Sequence, residues 1–178
     1  LPGNIIKVDG FLNHRIDTEL MDHIAEEFGR HFNMDEVSLI LTAEASGIAL
    51  AAIVATHFHK PMIFAKKAKS DNIEGGLYQS DIFSYTYKKK VTLLVSKEWI
   101  SADDKVLIVD DFMANGEAMR GLCDIVTAAG AELVGIGCAV EKGFQGGGDR
   151  LRAAGVNLKS LAIIESAQPG NIVFREDD

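Results

Sequence analysis

The sequence has little cysteine, few prolines and no long apolar run. Its two cysteines form no CxxC motif and no Cys/His cluster, which argues against a disulfide framework or a structural zinc site and favours a reducing cytoplasm. Cys123 falls in a predicted helix and Cys138 in a predicted strand, so we expect both to be small core residues. The longest apolar run, residues 48–56, is too short to cross a bilayer, and no membrane association is expected.

Positive charge is also scarce, since 18 Lys and Arg stand against 26 Asp and Glu and give a net charge of −8. Nothing here suggests overall attraction to nucleic acid. Lysines cluster locally at Lys66, Lys67 and Lys69 and again at residues 88–90. Such a patch in an acidic protein is a candidate anion site, with a solvated charged loop as the alternative.

The length of 178 residues fits one domain with a substantial core, and the composition is that of an ordinary globular protein. The sequence shows no signal peptide, repeat or linker, so we predict a single domain over residues 1–178. Because the chain begins at Leu1 rather than methionine, we expect residues to precede it.

Helical and strand patterns alternate along the chain. Asp17 is a predicted N-cap, and further helices are predicted over residues 48–58, 116–129 and 149–154. Strands are predicted at 37–43, 62–65, 91–96, 106–109, 132–141 and, as the last one, 158–164. Residues 71–90 have no steady apolar face and are predicted to form a long flexible hairpin with two weak strands. The alternation predicts an α/β fold with a doubly wound, mostly parallel sheet, whose ligands bind beyond the carboxyl ends of the strands.

One stretch, residues 105–119 (KVLIVDDFMANGEAM), carries the strongest chemical signal. Asp110 and Asp111 end an apolar strand, where paired carboxylates cost stability unless something binds to them. The small residues Ala114, Asn115 and Gly116 then precede a helix, whose free amides and dipole favour a phosphate. The aspartates can accept hydrogen bonds from sugar hydroxyls or face Mg²⁺, so the stretch predicts a ribose 5-phosphate site. A solvated Asp pair beside a tight turn, with Asp111 as a helix-end cap, stays open.

The same stretch resembles the phosphoribosyl-pyrophosphate (PRPP) signature of the type I phosphoribosyltransferases. The sequence ANGEA departs from the usual Thr-Gly-Gly-Thr loop and is similar to the xanthine phosphoribosyltransferases of bacterial purine salvage. Five further segments follow the family in order: 6–14 (IKVDGFLNH), 43–47, the basic 64–70 (FAKKAKS), 78–90 and 139–145 (AVEKGFQ). The resemblance implies the type I fold with a flexible hairpin hood and a small base-recognition hood built from the N- and C-terminal segments.

The resemblance also implies a role for each site residue. Asp110 and Asp111 would bind the ribose hydroxyls, directly or through Mg²⁺, and Lys66 and Lys67 would neutralise pyrophosphate, with Lys69 a further candidate. PRPP would also contact two loops, made of Ala114, Asn115, Gly116, Glu117 and Ala118 and of Glu44, Ala45, Ser46 and Gly47. Relatives often have a cis peptide in the second loop.

The purine end is implied in the same way. Lys142 would donate to the 6-oxo oxygen, which disfavours adenine, and Phe144 would lie against the purine face or in the core. Asn13 and the backbone near Ile6 would read the 2-position, although an amide side chain by itself does not exclude guanine. Relatives place a hydroxyl or aromatic group on the hood, and four residues are candidates: Tyr78, Ser80, Ser84 and Thr86.

The implied activity is transfer of the phosphoribosyl group from PRPP to xanthine, with Mg²⁺ as cofactor and a homodimer as the assembly. Two alternatives remain open at this point. One is a hypoxanthine or guanine phosphoribosyltransferase, and the other is a PRPP-sensing regulator of the purine operon type that has no catalytic activity.

Overall fold

The structure, a computed structural model, describes residues 6–67, 76–84, 89–168 and 170–176. Four α-helices lie in this part of the chain: α1 (Thr18–His31), α2 (Gly47–His57), α3 (Glu117–Ala129) and α4 (Gly147–Ala153). A π-helical turn covers Asp9–Asn13, and a 3-10 turn covers Gly143–Gln145. None of the described helices is both long and apolar enough to cross a membrane.

The described strands form a large sheet and a separate hairpin. The strands of the large sheet are β1 (Leu39–Ala43), β2 (Met62–Ala65), β5 (Lys105–Met113), β6 (Glu132–Lys142), β7 (Leu158–Gln168) and β8 (Asn171–Phe174). Their order is β2-β1-β5-β6-β7-β8, and only β8 pairs antiparallel. The hairpin consists of β3 (Leu77–Ser84) and β4 (Lys89–Ser96). The predicted α/β fold with a mostly parallel sheet is confirmed.

The sheet separates two apolar cores, because successive strand residues point to opposite faces. On β1, Leu39 and Leu41 belong to the core under α3, whereas Ile40 belongs to the core under α1 and α2. Helix α1 begins where predicted, since the Asp17 carboxylate accepts a hydrogen bond from the Leu20 amide at 3.1 Å. Its buried face then places Phe28 against the sheet.

The hairpin differs from the prediction in its packing. Residues 91–96 are not a separate strand but the greater part of β4, which pairs along its length with β3. Strand β3 does have a buried face, since Ser80 and Ile82 are buried while their neighbours are exposed. The alternation of apolar and polar residues along β3 is hard to recognise in the sequence, because one of the two buried side chains, Ser80, is small and polar.

Two other strand boundaries also differ from the prediction. Strand β7 continues to Gln168 and turns back into β8, so residues 158–164 are not the last strand. Strand β5 extends through the two aspartates to Met113, so Asp110 and Asp111 are strand residues. The alternative that Asp111 caps the next helix is wrong, because Gly116 occupies the N-cap of α3.

Candidate active site

A cavity of about 620 Å³ opens at the carboxyl end of the sheet, where the loops after β1, β2, β5 and β6 meet. Most of the residues predicted for the site line it together: Ile6, Asn13, Glu44, Ser46, Lys67, Asp110, Ala114, Asn115, Gly116, Glu117, Ala118 and Lys142. The fold therefore gathers segments that are up to 136 positions apart, as the rule for parallel sheets predicts.

Five predicted residues do not line this cavity: Ala45, Gly47, Lys66, Asp111 and Phe144. Lys66 instead exchanges two backbone hydrogen bonds with Leu94 of the hairpin, at 2.9 and 2.8 Å. Of the other candidates, Lys69 and Thr86 lie outside the described residues. Tyr78 packs under the Lys97 ammonium, and the Ser80 hydroxyl donates to Asp124 at 2.8 Å. The hairpin contributes Ile82, Phe83 and Val91 to the cavity instead.

The two aspartates are almost fully buried and lie against each other. Asp110 Oδ1 accepts a hydrogen bond from the Asp111 amide at 3.0 Å, and Asp111 Oδ1 accepts one from the Ser46 hydroxyl at 2.9 Å. Asp111 Oδ2 is buried with no hydrogen-bond partner among the described residues. Val109 and Phe112 contact the same core, the one under α1 and α2, although residues three positions apart on a regular strand point to opposite faces. The alternation of side chains along β5 therefore shifts by one residue at the two aspartates.

Burial makes the charged form of Asp110 costly. Burial first, and then the neighbouring Asp111 carboxylate, raises the pKa of Asp110 well above its usual range, while the charge of Lys67 acts in the opposite direction. A cationic or hydroxyl-bearing ligand would relieve that cost. A buried carboxylate pair of this kind in a cavity is typical of functional sites.

The loop after β1 packs against the two aspartates. The Glu44–Ala45 peptide is cis, as the family resemblance implies. Gly47 has no room for a side chain, since a Cβ there would lie 2.3 Å from both Asp110 Oδ1 and Thr42 Oγ1. Ser46 stands at the N-cap of α2, yet its hydroxyl makes no capping bond and binds Asp111 instead. The Glu44 carboxylate accepts a bond from the Lys67 amide at 2.6 Å, which joins this loop to the basic segment.

The loop after β5 has the geometry of an anion site. Gly116 adopts a left-handed conformation with φ of 79°, and α3 begins at the next residue. The Asn115 side chain accepts a hydrogen bond from the Glu117 amide at 3.3 Å. A hydrogen bond from Arg120 lowers the pKa of Glu117, so this carboxylate stays charged and is held toward the helix. The loop's remaining amides can donate hydrogen bonds to a phosphate, and the positive end of the α3 dipole favours its negative charge.

The other end of the cavity combines an ammonium with apolar groups. Lys142, the last residue of β6, has its Nζ 5.4 Å from the centre of the Phe112 ring. Burial lowers the pKa of Lys142. Ile6, Val8 and Asn13 close the cavity from the N-terminal side. A flat heterocycle with an acceptor oxygen would fit between these groups.

Comparison with known proteins agrees with this geometry. Residues 8–157 match the family model described as "Phosphoribosyl transferase domain". A xanthine phosphoribosyltransferase from Bifidobacterium animalis subsp. lactis is 51% identical over 98% of this chain and 92% of its own length. One from Lachnoclostridium phytofermentans is 51% identical over 98% of this chain and 91% of its own.

The chain belongs to the phosphoribosyltransferase family. Solved structures show the same fold. An adenine phosphoribosyltransferase from Giardia lamblia, complexed with 9-deazaadenine, superimposes with a TM-score of 0.72 at 22% identity, covering 82% of this chain and 79% of the other. One from Thermoanaerobacter pseudethanolicus gives 0.69 at 21%, covering 83% and 81%. At such identities the likeness concerns the phosphoribosyltransferase fold alone.

Two features of this phosphoribosyltransferase were not predicted from its sequence. Phe112, not Phe144, lines the cavity beside Lys142, and the signal for it was its place directly after the two aspartates. The second is Glu141, which is fully buried and accepts hydrogen bonds from Arg152 at 2.7 and 3.2 Å and from the Ser160 hydroxyl at 2.5 Å. No sequence signal distinguished Glu141 from an ordinary strand-end carboxylate.

Proposed function

We propose that this protein transfers the 5-phosphoribosyl group from PRPP to xanthine. The bond from C1 of the ribose to pyrophosphate breaks, and a new bond forms from C1 to a ring nitrogen of the base. The products are xanthosine 5′-monophosphate and pyrophosphate. The observation that carries this is the 51% identity to a xanthine phosphoribosyltransferase across 98% of the chain, on a site whose parts fit both substrates.

The loop Ala114–Ala118 is assigned to the 5-phosphate. Its support is the run of small residues, the left-handed Gly116 and the start of α3. Asp110 is assigned to the ribose hydroxyls, because hydroxyl donors would satisfy this buried carboxylate at the cavity wall. The assignment of Asp111 to the same hydroxyls rests on the family resemblance. Asp110 lines the cavity itself, whereas Asp111 is positioned by Ser46.

The pyrophosphate end is assigned to Glu44–Gly47 and to Lys67. Lys67 lines the cavity as an exposed cation, and its charge already acts on Asp110. Lys66 is assigned a supporting role, since its backbone ties the basic segment to the hairpin. A leaving group of high negative charge is stabilised by such positioned cations.

The purine is assigned to the space between Lys142 and the N-terminal segment. An ammonium can only donate hydrogen bonds, so Lys142 suits a 6-oxo oxygen and disfavours the 6-amino group of adenine. Asn13 and Ile6 lie where they could contact the 2-position, and Phe112 offers a ring face near Lys142. Phe144 does not line the cavity. Its assignment to the purine face therefore rests on the family resemblance alone.

The residues fit Mg²⁺ as a cofactor. Two carboxylates, one with an unpartnered buried oxygen, are hard oxygen ligands of the kind that Mg²⁺ prefers. Among the described residues, no three His, Cys, Asp or Glu side chains lie together so that they could hold a metal ion. Substrate oxygens and water would therefore complete the coordination. When bound, the ion would neutralise negative charge that develops on the leaving group.

The decisive experiment incubates the protein with PRPP and Mg²⁺ and, separately, xanthine, hypoxanthine, guanine or adenine, with nucleotide measured by chromatography. We expect xanthosine monophosphate as the main product, and none when EDTA removes the metal. Preference for guanine or hypoxanthine would overturn the xanthine assignment alone. Binding of PRPP without nucleotide from any base would favour the regulator alternative.

The assembly and location belong to the same proposal. A homodimer and a cytoplasmic location rest on the family resemblance, as does the absence of a nucleic-acid partner. Sedimentation of the purified protein at several concentrations tests the first, and a mass of twice the 19.3 kDa chain is expected.

A further inference from the structure

Helix α4 contacts one peptide bond of the loop Ala114–Ala118, which we call the phosphate loop. This is the bond that joins Asn115 to Gly116. Arg150 of α4 donates from Nη2 to the carbonyl oxygen of Asn115 at 2.9 Å. The same guanidinium donates from Nη1 to the carbonyl oxygen of Gln145 at 3.4 Å. Arg150 therefore bridges the phosphate loop to the segment that follows Lys142.

Gly147 packs against the same peptide. A Cβ at this position would lie 2.5 Å from the carbonyl carbon of Asn115 and 2.6 Å from the nitrogen of Gly116. It would also lie 2.7 Å from the carbonyl oxygen of Ala114. Because all three are backbone atoms, no side-chain movement can make room, and only glycine allows this approach.

These contacts determine where the Gly116 amide points. The Asn115–Gly116 peptide is trans, so its N–H and its C=O point in opposite directions. With the carbonyl held by Arg150, the Gly116 N–H is directed away from Arg150. Gly116 lines the cavity and Arg150 does not, and the Gly116 N–H donates no hydrogen bond to another described residue. The amide is thus available to a ligand in the cavity.

The position of α4 is itself anchored to the strand that carries Lys142. Arg152 of α4 pairs with the buried Glu141 carboxylate, and Gly148 packs so closely on this carboxylate that a Cβ would lie 2.0 Å from Glu141 Oε1. Lys142 is the residue next to Glu141. One rigid connection therefore runs from the Lys142 end of the cavity to the phosphate loop.

We propose that Arg150 and Gly147 are positioning residues, which orient the Asn115–Gly116 peptide so that the Gly116 amide binds the 5-phosphate of PRPP. Neither side chain touches the substrate. This proposal rests on the proposed function, because it presumes that the loop binds the phosphate of a phosphoribosyl group. It assigns a share in PRPP affinity to α4, none of whose residues lines the cavity.

The test compares Arg150→Gln and Arg150→Lys with wild type by calorimetric titration of ribose 5-phosphate, pyrophosphate and xanthine, together with KM for PRPP. We expect both variants to bind ribose 5-phosphate about fivefold more weakly, because neither side chain has the two-nitrogen fork with which the guanidinium reaches the Asn115 and Gln145 carbonyl groups. Pyrophosphate and xanthine affinity should stay near wild type, since their subsites are separate. Arg30→Gln is the matched control, because Arg30 is an exposed helical arginine with two ion pairs on α1, away from the cavity.

The lysine variant separates positioning from simple charge. If Arg150→Lys binds ribose 5-phosphate as wild type does, the guanidinium acts only through its charge and the proposal is overturned. Equal losses for all three ligands, with a lowered melting temperature, would overturn it as well, since they would indicate general destabilisation. A wild-type protein that makes no nucleotide from any base would instead count against the proposed function.

Gly147→Ala provides a second test that does not involve charge. The added methyl group must displace the loop, so ribose 5-phosphate affinity should fall by about tenfold or more while pyrophosphate affinity is retained. Unchanged ribose 5-phosphate affinity in a folded Gly147→Ala protein would contradict the proposal.

Discussion

At the scale of single residues, the site is made of groups that are costly in the free protein. Asp110 is a buried carboxylate beside a second one, and Asp111 has an oxygen without a partner among the described residues. Such groups destabilise the fold unless a ligand satisfies them, so function and stability conflict at this position. Because the charged form of Asp110 is costly, its ionisation should be measurable as a change in the free energy of unfolding.

Asp110→Asn should stabilise the free protein while removing most of its activity. The amide cannot ionise, yet it can still accept the hydrogen bond from the Asp111 amide and can donate to the Asp111 carboxylate. Relief of a buried charge should raise the free energy of unfolding at neutral pH by about 1–2 kcal/mol. Urea unfolding measures this, and a less stable variant would contradict the account of the pair.

The pH dependence of the same pair of proteins has a definite sign. The unfolded Asp110 carboxyl titrates near pH 4, about its ordinary value, and the folded one titrates higher. The native state therefore binds more protons between these values, and wild-type stability falls as pH rises through that window. The Asp110→Asn variant lacks this loss. The difference in free energy of unfolding between the variant and wild type should therefore appear above about pH 4, increase with pH, and become constant above the pKa of Asp110 in the folded protein.

Lys142→Gln should impair binding of the purine selectively. Partial burial lowers its pKa, so the ammonium loses part of its hydration and would gain from a hydrogen-bond acceptor. We expect KM for xanthine to rise about tenfold or more, with KM for PRPP changed little. Lys105→Gln is the control, since Lys105 starts β5 at the other end of the sheet. A parallel rise in both KM values would contradict the assignment.

At the scale of elements, the hairpin is attached to α3 by polar contacts as well as by its apolar face. Arg120 donates to the Asp81 carbonyl oxygen at 2.8 Å and pairs with Asp124 at 2.7 Å and Glu117 at 3.2 Å. Glu117 lines the cavity, so one arginine connects the hairpin to the phosphate loop. A close approach at Gly121, where a Cβ would lie 2.5 Å from Ile82, brings the two elements together.

Arg120→Ala should loosen the hairpin without unfolding the sheet. Its contacts are partly exposed, so the loss in global stability should be only about 1 kcal/mol. Amide hydrogen exchange should become faster in residues 77–84 and 89–96, while β1 and β5 remain protected. The control is Arg30→Ala, which removes comparable ion pairs on α1. Unchanged exchange in the hairpin would show that apolar packing alone holds it.

At the scale of the whole molecule, the ion pair of Glu141 with Arg152 joins three elements. Glu141 lies on β6, Arg152 on α4 and the third partner, Ser160, on β7. Glu141 is fully buried, whereas Arg152 is 29% exposed. Breaking such a pair from one side leaves an uncompensated buried charge, which costs more than the pair contributed.

Arg152→Met should therefore destabilise the protein by about 3 kcal/mol. Replacing Glu141 with Gln in the same chain removes the stranded charge, so the double variant should recover at least part of that loss. Chemical denaturation of the two variants and the wild type measures both values. A double variant less stable than Arg152→Met would contradict the explanation by buried charge.

Much of this architecture was predictable from periodicity and local chemistry. The N-cap at Asp17, the end of α3 at Gly130 and the alternation of strands with helices depend on residues close together in the chain. The hairpin packing and the extra strand β8 were not predictable, because each depends on which surface an element meets. Phe112 follows the two aspartates directly, but only the fold shows that it, and not Phe144, lines the cavity.

The sequence alone determined the class of fold, because apolar periodicity acts over a few positions. It also supplied candidate residues for both ends of the site, through short motifs and their resemblance to a family. Only the tertiary structure decided which of these residues share a cavity and what supports them. The contact of Gly147 and Arg150 with the Asn115–Gly116 peptide spans more than 30 positions. Such a contact depends on how the helices close over the sheet, which no local pattern records.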